Sequence, residues 1–269
     1  MLRRFKAPIS VGAQVFLVAA ALAFNPPTLH AAGILVSPAR LVLAGKTSGD
    51  VTVVNQGTAP ATVTATFLDY RQAPDGKVTL GPAAAGSRSA LRWLTVSPAS
   101  VTLAGGAVGH LTVTAAPGPS APPGDSHAAL MITSQPQVSG GGVPVITAIG
   151  IGILARVTSA ERRDLKFQAI KVTRSRARRV ISLGLTNAGN LDEELPRGRV
   201  LVQIRKGGRT VASLRTAFRH LLPGVSGQIQ LVYAGKVHGP VDIVAKIGLV
   251  PTPGVPTPKP TERTVHTTL

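Results

Sequence analysis

The chain has 269 residues, with 29 Lys and Arg against 11 Asp and Glu, and no Cys. Without a thiol there is no disulfide framework, Cys-ligated zinc, iron–sulfur cluster or Cys nucleophile. A hydrophobic content of 44% is enough for a packed core, which sets the chain apart from a disordered basic tail, and the length allows one large or two ordinary domains.

Residues 1–32 read as a signal peptide. Arg3, Arg4 and Lys6 form a positive start, Val11 to Phe24 an apolar stretch, and Leu29-His30-Ala31-Ala32 a largely small-residue end. The mature chain is expected to begin near Ala32 or Gly33. Leu29 or His30 lies where a small residue is preferred, so a retained anchor stays open as the alternative. No later run reaches the 18 apolar residues of a membrane-spanning helix, because the best, Val143 to Leu154, is short and holds Pro144, Gly150 and Gly152. The expected location is outside the cytoplasm, at the cell surface, in a periplasm or secreted.

Charge divides what remains. Residues 33–158 carry seven Lys/Arg and four Asp/Glu, whereas residues 159–250 carry seventeen and six. The basic character therefore belongs to the second half, and the join falls at the small polar segment Thr158-Ser159-Ala160.

The first half reads as strands throughout. Val51 to Val54 runs into the turn Asn55-Gln56-Gly57, and Thr62 to Tyr70 alternates before Pro74-Asp75-Gly76. Arg92 to Val96, Val108 to Thr114, His127 to Ser134 and Val143 to Val157 follow, parted by Ala104-Gly105-Gly106, a Pro-rich stretch at 117–124 and Gly140-Gly141-Gly142. No 3.6-residue apolar stripe marks a helix, which removes α/β enzyme folds and their phosphate loops. The segment VSPARLVLAG at 36–45 returns as VSPASVTLAG at 96–105, identical at seven of ten positions. Pro38 and Pro98 suit edge or sheet-crossing positions where a missing N–H costs nothing.

The second half repeats the layout. Leu165 to Thr173, Arg179 to Thr186, Val200 to Arg205, Thr210 to Leu214, Gln228 to Tyr233 and Val241 to Leu249 are predicted strands. Asn187-Ala188-Gly189-Asn190 follows a core-like run as Asn55-Gln56-Gly57 does, and Leu222-Pro223-Gly224 echoes Leu103-Ala104-Gly105. The fold class is all-β: two tandem immunoglobulin-like sandwiches over 33–158 and 159–250. Residues 251–269, rich in Pro and Thr, are expected to be a disordered, solvated tail.

The succession VSPARLVLAG, VVNQGTAP, Trp93 before TVSPASVTLAGG, PPGDSHAALMIT and a long strand ending ILARV resembles the PapD-like sandwich. The nearer branch is the peptidoglycan-binding domain of WxL-interacting surface proteins; the second is the periplasmic pilus chaperone. The chaperone resemblance implies a carboxylate clamp of an Arg on the first strand, matched by Arg40, and a Lys on the last strand, whose place falls near Gly150. With no Lys from Val143 to Val157, half of that clamp is missing. The strand itself remains: Ile149, Ile151 and Ile153 share one face, and Gly150 and Gly152 leave the other nearly bare. Such a strand either adds to a client strand by β-augmentation or is a central core strand. The WxL-type members end in a membrane helix and basic tail, but this sequence ends in PTPGVPTPKPTERTVHTTL with no LPxTG signal, so wall retention is expected to rest on non-covalent contacts.

The most chemical feature is a basic run, Lys171, Arg174, Arg176, Arg178 and Arg179. If the run is extended, Arg174, Arg176 and Arg178 align on one face and suit polyanions such as teichoic-type polymers, anionic glycans or phospholipid headgroups. A merely solvated face is the alternative. Nucleic acid is disfavoured by export and by the lack of aromatics beside the Arg residues.

No catalytic residue, metal ligand set or cofactor site is predicted. His110, His127, His220, His238 and His266 fall in no close ligand spacing, and there is no G-x-S-x-G elbow. Asp192-Glu193-Glu194 is expected to solvate a loop or pair with nearby Arg. Tyr70 and Trp93 are candidates for stacking on sugar, although a lone Trp in a sandwich is usually core. The expected function is non-enzymatic: binding a wall component, peptidoglycan or anionic polymer, or a surface protein partner. The alternative is a chaperone-like factor that holds secreted subunits by strand addition.

Overall fold

A computed structural model describes residues 29–31, 33–44, 47–84, 86–135, 146–175, 178–216 and 219–269. The predicted signal segment therefore lies almost wholly outside the described residues, as do Val143, Pro144, Val145 and Arg176.

The first half forms eleven strands: β1 (Leu29–Ala31), β2 (Ile34–Ser37), β3 (Arg40–Ala44), β4 (Ser48–Asn55), β5 (Ala61–Gln72), β6 (Val78–Gly81), β7 (Leu94–Ser97), β8 (Ser100–Leu103), β9 (Val108–Ala115), β10 (Gly124–Ser134) and β11 (Ala148–Val157). One sheet runs β1-β2-β4-β9-β7, the other β3-β11-β10-β5-β6, with β8 added to β5. Period-two patterning decides the faces. Val51 and Val53 of β4, Val63 and Ala65 of β5, and Leu111 and Val113 of β9 point into a shared core, while the Thr residues between them face outward. Each fully buried Val, Leu or Ile contributes about 1.5–3 kcal/mol.

The repeated segment is a corner that changes sheets. Ser37-Pro38 ends β2 in one sheet and leads to β3 in the other, and Ser97-Pro98 does the same between β7 and β8; both peptide bonds are cis. Neither Pro lies within a strand, in keeping with its missing N–H.

The second half contributes β12 (Leu165–Ser175), β13 (Arg178–Asn187), β14 (Glu193–Leu195), β15 (Val200–Lys206), β16 (Arg209–Arg215), β17 (Arg219–Leu221), β18 (Ser226–Tyr233), β19 (Pro240–Ile247) and β20 (Thr261–Thr268). Strands β12-β13-β18 face β16-β15-β19-β20 across a second core built on Ile181, Leu183, Val202, Ile204, Ile229 and Ile243. The architecture is thus two immunoglobulin-like sandwiches.

Four expectations need correction. Arg92 and Trp93 lie in a 3₁₀ turn, Leu91–Trp93, not a strand, and Trp93 is half-buried against the first core. Strand β11 begins at Ala148, so Ile146 and Thr147, within the predicted strand, precede it. Short β14 and β17, absent from the sequence reading, pair with each other beside the domain junction. The C-terminal segment is not a solvated tail throughout: Thr261–Thr268 pairs antiparallel with β19 from Ile247↔Thr261 to Pro240↔Thr268, and Leu269 is buried. Composition hid this strand because its outward positions are Thr, Glu, Arg and His; only Val265 and Leu269 reach the core.

Candidate functional site: the open edge of β11 and the domain junction

Strand β11 pairs with β10 along its whole length, Ala148↔Thr133 to Val157↔Gly124. Its other edge is only half covered. The parallel partner β3 spans Gly152↔Arg40 to Arg156↔Ala44 and stops there. Gly152 N–H donates to Ala39 O at 3.1 Å, so by alternation the N–H and C=O of Ala148 and Gly150 point the same way, and no strand among the described residues pairs with them, although β1, within the predicted signal segment, comes close to β11. Opposite them, Ser134 N–H donates to Thr147 O at 2.8 Å, which confirms that odd-numbered residues face β10.

Side chains follow the same alternation. Ile149, Ile151 and Ile153 are 5%, 0% and 0% exposed and belong to the first core. What these three positions offer a partner is therefore a rigid strand rather than side chains. The glycine face is close-packed at its ends: a Cβ on Gly150 would stand 3.2 Å from the Met131 sulfur, and one on Gly152 would stand 3.9 Å from Arg40 Cγ. Just before the strand, Ile146 is 61% exposed.

Arg40 is committed elsewhere. Its guanidinium crosses to the second domain, donating to Asp192 Oδ2 at 2.6 Å and pairing with Glu194. No cation occupies the last strand beside it, since its register partner is Gly152. A client carboxylate would have to displace Asp192 or Glu194 to reach Arg40.

Arg40 is one post of a buried polar junction. Asp125, 0% exposed, accepts two bonds from Arg156, at 2.6 and 2.9 Å, and a third from Asp192 N–H at 2.7 Å. Its own N–H donates to Asn190 O at 2.8 Å. Gln72 bridges the domains with both ends of its amide, to His220 O at 2.7 Å and from Leu222 N–H at 3.1 Å. Gln228 N–H reaches Pro74 O at 2.9 Å, and His220 Nε2 meets Asp192 Oδ2. Arg163 binds Glu193 at 2.9 and 2.5 Å, so the acidic triplet pairs with Arg as expected in one reading, with Asp192 and Glu193 buried and Glu194 half-buried rather than solvated.

The environment sets the protonation states. Burial alone would raise the Asp192 carboxyl, but His220 and Arg40 beside it hold it below the ordinary carboxylate range. Burial drives the His127 imidazole down to about 4, outweighing the opposing pull of Asp192. The His127 ring lies 5.2 Å from that of Tyr70, whose phenol burial pushes well above its usual value. Tyr70 is thus half-buried and tilted against His127 rather than displayed as a free stacking platform.

The basic run does not form one stripe. Strands β12 and β13 are a hairpin with Arg174↔Arg179 and Ser175↔Arg178 in register. Arg174 and Arg179 therefore share one face, and Arg178 lies on the other with Lys171. The chain reverses between the two predicted strands, so the condition for a single stripe, an extended run, is not met.

Sequence reasoning missed Gln72, Asp125 and Arg156 as junction residues. The available signal was Asp125-Ser126-His127 opening the apolar run Ala128 to Ile132, since polar residues leading a core strand need partners.

No family model matches the chain, and no curated protein matches it. Among solved structures it is similar to the class 5 fimbriae chaperone CfaA, with a TM-score of 0.53 at 12% identity over 86% of this chain and 98% of that one. It is similar also to a chain of the chaperone–tip adhesin complex of CFA/I fimbriae biogenesis, with a TM-score of 0.51 at 12% identity over 87% and 98%. The shared feature is the all-β fold.

Proposed function

We propose that this protein is an exported chaperone-like factor that holds secreted β-rich subunits by strand addition along β11. The observation that carries the reading is the unpaired edge at Ala148 and Gly150, next to a fully paired stretch of the same strand. A client strand laid there would continue the ladder beyond the end of β3, with backbone bonds supplying affinity and the exposed Ile146 side chain an apolar contact. The likeness to a fimbrial chaperone and to a chaperone–adhesin complex supports a protein client. Nothing in that likeness favours peptidoglycan, so strand addition replaces wall binding as the principal reading. Arg40 serves here as a domain tie in the first instance, and as a carboxylate contact only if a client opens that tie.

The test is co-expression of residues 33–269 with a β-sandwich subunit lacking its final strand. A stable 1:1 complex is expected. Ala148→Pro, which removes an N–H from the open edge alone, should abolish it while leaving thermal stability near that of the parent. A complex that survives Ala148→Pro, or no complex at all, overturns the reading.

A further inference from the structure

We propose that the end of the second domain farthest from the first is a docking surface for a bilayer bearing acidic phospholipid headgroups. The registers place three pieces of chain at this end. Arg174↔Arg179 and Arg179↔Tyr233 bring the β12–β13 tip beside the end of β18, and Lys206↔Arg209 closes the β15–β16 hairpin. Lys206 Nζ donates to His238 O at 2.9 Å, tying that hairpin to the β18–β19 loop. The opposite ends of the same strands, at Thr186, Asn187 and Gln228, adjoin the first domain.

Cations collect at this end without carboxylate partners among the described residues. Arg174, Arg178, Arg179, Lys206, Arg209 and Lys236 form no ion pair among the described residues, and all but the half-buried Arg179 are exposed. Asp242, the acidic side chain here, is held by His266. The first domain shows the contrast: its junction cations Arg40 and Arg156 are paired with carboxylates.

Charge alone would suit any polyanion. The aliphatic residues decide for a lipid surface. Val232, 50% exposed, lies one residue from the end of β18 beside the β12–β13 tip, and Val211, 44% exposed, lies next to the β15–β16 tip on the outer face of the opposite sheet, so the two flank this end of the domain. Val232 pairs with Val180, which shares a face of β13 with Arg178, so an exposed apolar patch adjoins a guanidinium. Cations beside exposed aliphatic side chains fit the headgroup–acyl boundary, where charge attracts and apolar surface inserts. A soluble polyanion makes no use of the valines. The inference stands independently of strand addition.

Sedimentation of residues 33–269 with vesicles of phosphatidylcholine alone, and of phosphatidylcholine mixed with phosphatidylglycerol, tests it, with soluble polyphosphate as the competing ligand. Binding is expected to the mixed vesicles alone and to weaken with salt. The triple variant Arg174→Gln, Arg178→Gln, Arg179→Gln should bind about 100-fold more weakly, each cation near the surface being worth about fivefold. Val211→Ser with Val232→Ser should weaken vesicle binding severalfold and leave polyphosphate binding unchanged. Lys77→Gln with Arg92→Gln, on the first domain, should have no effect. The proposal is overturned by no binding to mixed vesicles, by full binding of the triple Arg variant, or by vesicle binding that ignores the valines and is matched by polyphosphate.

Discussion

Asn55 and Asn187 make the same contacts in the two domains. Each Oδ1 accepts the N–H of a glycine two residues on, Gly57 or Gly189, at 3.0 Å. Each Nδ2 donates to the carbonyl four residues on, Ala59 at 2.8 Å and Leu191 at 2.7 Å, and to a distant leucine carbonyl, Leu103 at 3.1 Å and Leu221 at 2.9 Å. Both side chains are buried, so replacing either with Ala leaves several backbone carbonyls without a donor. Asn55→Ala and Asn187→Ala are each expected to cost about 2–3 kcal/mol in denaturant unfolding, Asn55 through the first sandwich and Asn187 through the second. A loss below about 0.5 kcal/mol for either would show that its bonds are replaced by water.

Arg40→Ala takes the guanidinium from two carboxylates at the junction, leaving Asp192 with His220 and Glu194 without this cation. Asp192 has only 2% of its side chain exposed and Arg40 has 20%, so the loss should approach that of a broken buried pair, about 2–4 kcal/mol. Chemical unfolding measures it. If Arg40 worked instead as a free client contact, the variant would keep its stability and lose only the complex.

His127 makes stability depend on pH. Its folded pKa of about 4 lies below the ordinary value of 6.5, so the unfolded chain binds the extra proton between these limits. The stabilisation is complete above pH ~6.5 and is lost as pH falls through ~4, amounting to about 3 kcal/mol by the linkage of 1.36 kcal/mol per pKa unit. Urea unfolding at pH 7 and pH 4 should show this slope in the parent and a shallower one in His127→Asn.

Removing β20 should expose the β19 edge. A chain ending at residue 260 loses the burial of Val265 and Leu269 and the ladder from Ile247↔Thr261 to Pro240↔Thr268. Destabilisation of the second domain by several kcal/mol is expected, together with self-association through the freed edge, read by light scattering. An unchanged melting profile would mean that β20 adds nothing.

The sheets were legible in the sequence because alternation is a local property. Val51 to Val54 and Val108 to Thr114 announce their inward and outward faces without help from the rest of the chain. The corner at Pro38 and Pro98 was legible for the same reason, being written twice. The junction was not, because Arg40 and Asp192 are 152 positions apart and nothing local says that they meet. Whether the Arg run was extended stayed open between the predicted strands ending at Thr173 and starting at Arg179, for want of a Gly, Asn or Pro turn signal, and β20 was missed because an edge strand in contact with water needs little apolar patterning.

The join between the domains has no room for play. At Gly124, φ is +89° and an added Cβ would overlap the carbonyl of Asn190. The next residue, Asp125, binds Asn190 and Asp192 through main chain and carboxylate. Bracing of this kind favours a fixed edge over a closing grip. Under strand addition the edge would already be in place, so the entropy of ordering would fall on the added segment, and the capture rate should follow that segment's flexibility.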